Sequence, residues 1–128
     1  MYTFDTAAAA RLLTVTVAKV PEIGSKGAVL TNPSRDAAFP VCVIQPPLLR
    51  PKYGEAAAEV SVTLEVWAKD AYAAMTLFDK VKQSMRTLCF TATNNTPLHM
   101  DAVTNKWRFG GYFECRWNAI TNTFELNR

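Results

Sequence analysis

The segment SVTLEVWAKDAYAAMTLFDKVKQSMRTL, Ser61 to Leu88, changes its hydrophobic period once, near Lys69. Before that point Val60, Val62, Leu64 and Val66 alternate with Ser61, Thr63, Glu65 and Trp67. A period of two in β-branched residues is the pattern of a half-buried strand. Trp67 is the exception on the polar side, and the alternation assigns it to the exposed face. After Lys69 the apolar positions are Tyr72, Met75, Phe78, Val81, Met85 and Leu88, spaced by three or four, which predicts an amphipathic helix over about 70–88. Asp70 is its expected N-cap, and Arg86 sits where the helix dipole is negative. At this spacing Met75 and Met85 read as core filling rather than as a soft binding groove. A strand that feeds straight into such a helix requires the helix to lie back on a sheet.

The remaining segments fit around that unit. Residues 5–19 read as a shorter N-terminal helix through Ala7–Ala10, Leu13 and Val17, although TVTV would also suit a strand. GAVLT and FPVCVIQ read as short strands, the second stopped by Pro46 and Pro47. Residues 46–59, PPLLRPKYGEAAAE, are too irregular for a strand and too short for a domain, and read as an exposed Pro-rich arm or hairpin. Leu48, Leu49 and Tyr53 on this arm are candidates for apolar contact with a partner, the alternative being that they tuck back onto the domain. The last third reads as strands, with Phe90–Thr93 expected to pair with Pro97–Met100 around Asn94–Asn95. DAVTNK forms a second turn before KWRFGGYFECRWNAI. In that final long segment Phe113, Cys115 and Trp117 should face the helix and Tyr112 the solvent, and Gly110–Gly111 marks a turn or a bulge. The chain therefore reads as one domain over 1–128, of α+β class: a mainly antiparallel sheet with one principal helix packed on it.

Composition bounds the function. At 128 residues, 49% hydrophobic and 20% charged, the chain can bury a core without disulfide or metal staples. A net charge of +3, with both signs mixed along the chain, argues for solubility more than for an electrostatic grip on nucleic acid or membrane, and excludes neither contact. No apolar run reaches the length of a membrane span, and the start lacks a signal-peptide pattern, so a cytosolic compartment is the default expectation. Cys42, Cys89 and Cys115 are odd in number and far apart, as expected of reduced, buried thiols.

No catalytic, cofactor-binding or metal-binding residue is assigned. His99 and Asp101 are two apart and would share a strand face, but two ligands make no metal site, and neither a nucleophile elbow nor a phosphate-binding glycine loop is present. RFGGYFECRW places aromatic and basic residues on one strand, as RNA-binding strands do, yet Phe109 stands where that signature wants glycine.

The order of elements, with LEVWAKDAYAAMTLFDKV followed by PLHMDAVTNKW, resembles the tail terminator or tail-completion proteins of long-tailed bacteriophages and prophages, over roughly Phe39 to Trp117. The resemblance implies a structural virion protein without enzymatic activity. Such a protein closes into a ring, expected to be a hexamer, at the head-proximal end of the tail. There it ends tail-tube polymerisation and joins the tail to the head. Its implied partners are further copies of itself, the tail tube protein and the head–tail connector protein, with DNA passing the lumen close by and no membrane contact. Its implied location is the virion, after assembly in the host cytoplasm. Interface candidates are Leu48, Leu49, Tyr53, Trp67 and Tyr112. The alternatives are a head–tail connector or minor tail protein, and a small cytosolic ligand-binding domain or enzyme subunit.

Overall fold

The computed structural model describes residues 3–52 and 55–126. In chain order its elements are α1 (Thr6–Val17), α2 (Gly24–Gly27), β1 (Ala28–Val29), β2 (Val41–Ile44), β3 (Leu48–Pro51), β4 (Ala57–Ala68), α3 (Ala71–Arg86), β5 (Thr91–Asn95), β6 (His99–Asp101), β7 (Lys106–Asn118) and β8 (Thr123–Glu125). The fold is α+β. Two long strands, β4 and β7, run antiparallel side by side from Ala57 opposite Asn118 to Ala68 opposite Trp107. Short strands lie in line along each outer flank: β2 and β3 beside β4, and β6, β5 and β8 beside β7. β1 adds to β2 in parallel.

The helices cover one face of this sheet. Val60, Val62, Leu64 and Val66 of β4 and Phe113, Cys115 and Trp117 of β7 are buried beneath α1 and α3, as the alternation predicts. Asp70 caps α3, its Oδ1 accepting from the Ala73 N–H at 2.7 Å, and Asp5 caps α1 by accepting from the Ala8 N–H at 2.9 Å. TVTV is helical because Leu13, Thr16 and Val17 together form the buried stripe of α1.

The stripe of α3 differs from expectation at its start. Ala74, Leu77, Phe78, Val81 and Met85 are buried, whereas Tyr72 is 80% exposed. Each step of three residues falls short of a full turn by about 60°, so Tyr72, two such steps before Phe78, is carried to the helix flank. Phe78 meets Phe109 and Phe113 edge-on, with ring centroids 5.4 and 5.9 Å apart.

Three further expectations are corrected. For 46–59 the hairpin alternative holds, and only the expectation that the segment is too irregular for a strand is corrected: Leu48–Pro51, largely exposed, pairs with Ala58–Ser61, and Ala57 and Ala58 are buried. The Lys52 N–H bonds the Ala57 carbonyl, so the missing N–H of Pro51 falls on the outer edge, where proline is tolerated. β5 and β6 do not pair with each other; both pair with β7. Gly110–Gly111 is neither a turn nor itself a bulge, and the β4–β7 register runs through it unbroken. A Cβ on Gly110 would meet the Leu64 carbonyl oxygen, and one on Gly111 would lie 2.7 Å from the Asn94 carbonyl oxygen. The glycines thus let both neighbours approach closely, and the irregularity lies in β5, between Ala92 and Asn94.

Candidate functional site

The face of the sheet turned away from the helices is built from Glu59, Ser61, Thr63, Glu65 and Trp67 of β4 and Arg108, Gly110, Tyr112, Glu114 and Arg116 of β7. It divides into two halves.

The first half is roofed. Trp67 is only 2% exposed and packs with Val41, Val43, Val29 and Phe39. Assigning Trp67 to an exposed surface is therefore corrected. The Arg108 guanidinium lies 4.2 Å over its ring, and the Lys106 ammonium 5.1 Å over the ring of Phe39. Glu65 Oε1 accepts from Trp67 Nε1 at 3.0 Å and from Arg108 Nε at 2.8 Å, with Arg108 Nη2 at 2.6 Å. Asp101 Oδ1 is 3.4 Å from Arg108 Nη1, while its Oδ2 accepts from the N–H and the hydroxyl of Thr104, each at 3.0 Å. The Thr104 N–H, more than Arg108, holds the Asp101 carboxyl below the usual carboxylate range. From the β1–β2 loop, Arg35 Nε reaches the Val103 carbonyl at 3.4 Å. These contacts have one chemical consequence: the charged groups neutralise and orient one another.

A signal for this roof was present in the sequence. VCVI in FPVCVIQ is buried at four successive positions, and a continuous apolar run marks a strand covered on both faces.

Among the described residues, the second half has no such roof. Leu48 (55% exposed) and Tyr112 (47%) stand on either side of Ser61 and Thr63, above a shallow cleft of about 400 Å³ that Gln45, Pro46 and Glu114 also line. Of the expected contact residues, the structure brings Leu48 and Tyr112 together here. Leu49 alternates to the opposite face and is half-buried against the core, so it is not a free contact residue. Tyr53 lies outside the described residues. Beside the cleft, charges alternate across four strands: Arg50 opposite Glu59, Glu59 opposite Arg116, and Arg116 opposite Glu125.

The edges of the sheet are blunted, as exposed edges commonly are. β1 has two residues, β6 and β8 three each, β3 carries Pro51 and β5 is irregular. Contact through this face is therefore better provided for than strand addition.

His99 is exposed, its Nδ1 3.0 Å from the Pro97 carbonyl, and Asp101 beside it is already engaged by Thr104 and Arg108. Among the described residues no group of three or more His, Cys, Asp or Glu side chains is placed to hold a metal ion. Burial pushes the Cys42 thiol up to about 12 and raises that of Cys115 as well, so both stay protonated at neutral pH. A second, more open groove of about 660 Å³ runs beside the start of α3, with Phe39, Pro40, Tyr72 and Leu77 in its walls. No helix among the described residues is long and apolar enough to cross a membrane. No protein-family model matches the chain, and no curated protein matches it in sequence.

Proposed function

We propose that this chain is an assembly subunit, a ring-forming terminator of a phage tail tube that ends tube polymerisation and presents the surface joining tail to head. The observation that carries the reading is the bare half of the sheet: an open face on two strands that a full helical layer and a local roof elsewhere hold rigid. Leu48 and Tyr112, exposed apolar bodies on a rigid support, are the kind of side chain that anchors a protein contact. The order of elements that resembles the tail terminators is consistent with it. In this reading the helical layer and the Trp67 roof serve folding, and the bare half serves contact.

The test is complementation of a phage that lacks the gene, scored by electron microscopy. The double variant Leu48→Ser, Tyr112→Ser should fold yet leave tubes of uncontrolled length and heads without tails. Normal tails from this variant would remove the face from the mechanism. A small-ligand domain is the second reading, favoured by the groove beside α3. Tight binding of a small molecule that Leu77→Trp blocks, with assembly intact, would select it instead.

A further inference from the structure

We propose that the unroofed half of the sheet receives Tyr72 of a second copy of this chain: the side chain enters the cleft between Leu48 and Tyr112, and the same contact repeats head to tail. The proposal rests on the ring reading in taking this face as a contact surface, and it names what fills it.

Tyr72 adds little to the core of its own chain. It stands in the first turn of α3 and is 80% exposed, more than any other large apolar or aromatic side chain among the described residues. A tyrosine offers a rigid apolar ring with one polar tip, the kind of side chain that dominates interface energy when it fills a pocket. The cleft of about 400 Å³ complements it. Leu48 and Tyr112 flank it with apolar surface, and Gln45, Ser61 and Thr63 line it with hydrogen-bonding groups. A ring held between Leu48 and Tyr112 brings its hydroxyl to Ser61 and Thr63. Charge agrees with the fit. Lys69 lines the groove beside Tyr72, and Glu114 lines the cleft. Both are exposed, and among the described residues neither forms an ion pair. Seating Tyr72 sets Lys69 against Glu114 at the rim, while Asp70 between Lys69 and Tyr72 in sequence stays engaged by the Ala73 N–H.

The two surfaces are well separated on one chain. From Ser61 to Ala68 β4 runs about 20 Å, and α3 leaves from the Ala68 end. The cleft opens on the face turned from the helices, whereas Tyr72 belongs to the helical layer. Each copy can therefore engage two neighbours at once, giving its Tyr72 to one and its cleft to the other. That is a heterologous contact, which repeats around a ring, whereas an isologous contact closes after two copies. Tyr72 stands beside Phe39, at the roofed end of the molecule. The roofed end of one copy thus meets the unroofed half of the next, and no two roofs oppose each other.

The test breaks the two surfaces in separate full-length chains and mixes them, with mass measured by sedimentation. The wild-type chain should form oligomers larger than a dimer. Tyr72→Ser removes the inserted side chain and Thr63→Trp fills the cleft, and each should weaken association at least about tenfold. Their mixture should form a one-to-one dimer and stop there. The intact Tyr72 of one variant meets the intact cleft of the other, and the two surfaces left over are both spoiled. A wild-type chain that stays monomeric or stops at a dimer, variants that associate like wild type, or a mixture that forms no dimer each overturn the proposal. If Thr63→Trp loses its circular dichroism, charge reversal takes its place. Lys69→Glu and Glu114→Lys should then each weaken association about tenfold and restore it when combined in one chain, and no restoration overturns the proposal. In phage complementation, normal tails from Tyr72→Ser beside failed tails from the Leu48→Ser, Tyr112→Ser variant remove Tyr72 as the occupant and leave the ring reading standing. Normal tails from both remove that reading as well.

Discussion

On the face turned from the helices, β4 and β7 carry two surfaces made from the same kind of sequence. Around Glu65, Trp67 and Arg108, polar and charged residues are enclosed under Phe39 and the valines of β2, and each finds a partner. A few residues along, Ser61, Thr63 and Arg116 are half-buried and Tyr112 is exposed, and among the described residues no comparable roof lies over them. The difference comes from the flanking strand and not from the two long ones. β2 is apolar on both faces and brings the β1–β2 loop over its end of the sheet, whereas β3 alternates Leu48 and Arg50 outward with Leu49 inward. One half of the face is therefore enclosed by the chain's own packing, while the other keeps Leu48 and Tyr112 exposed.

Substitutions that treat the halves alike should expose that contrast. The largest effect is expected from Trp67→Ala, which empties the roofed half and should cost about 3–5 kcal/mol in chemical denaturation. Arg108→Ala comes next. It strands Glu65 beside the Trp67 indole, and because water still reaches both charged side chains the expected cost is about 2 kcal/mol, below that of breaking a fully buried pair.

A smaller effect is expected from acid. The carboxyl of Asp101 is held low in the folded chain, so its contribution is fully present above an unfolded aspartate's value of about 4 and is lost as the pH falls through the lower folded value. Asp101→Asn should flatten the acid limb of the stability profile below that point and leave its neutral-pH shape unchanged. Stability that still falls as steeply in the variant would assign the acid sensitivity to other carboxylates. The smallest stability change belongs to the bare half: Leu48→Ser and Tyr112→Ser should each stay within about 0.5 kcal/mol of wild type. A cost near that of Trp67→Ala would mean that the two halves are not distinct.

Fold class was legible because the signals were local. The switch of period at Lys69, the Asp70 cap and the alternation through β7 all act between near neighbours in sequence, and they place the helix on the sheet. The errors arose where distant segments decide. Trp67 sits at a polar position of its strand and is buried only because Phe39 and β2 reach it. The alanines of the supposed arm carry weak strand preference, and their pairing with Trp117 and Asn118 across β4–β7 overrides it. β5 and β6 look like a hairpin locally, but the unbroken run of β7 offers each of them a longer partner. The candidate site was half legible: Leu48 and Tyr112 were readable as exposed apolar residues, while their meeting over one cleft depends on the register of three strands.

The division of the face is tested most directly by hydroxyl-radical footprinting read by mass spectrometry, on dilute free subunit and on subunit assembled onto tail tubes. In the free subunit Tyr112 and Leu48 should be modified rapidly and Trp67 hardly at all, despite the high intrinsic reactivity of the indole. On assembly the rate at Tyr112 and Leu48 should fall severalfold while Trp67 stays unchanged. Rapid modification of Trp67 in the free subunit, or undiminished modification of Tyr112 in assembled tails, would contradict the account.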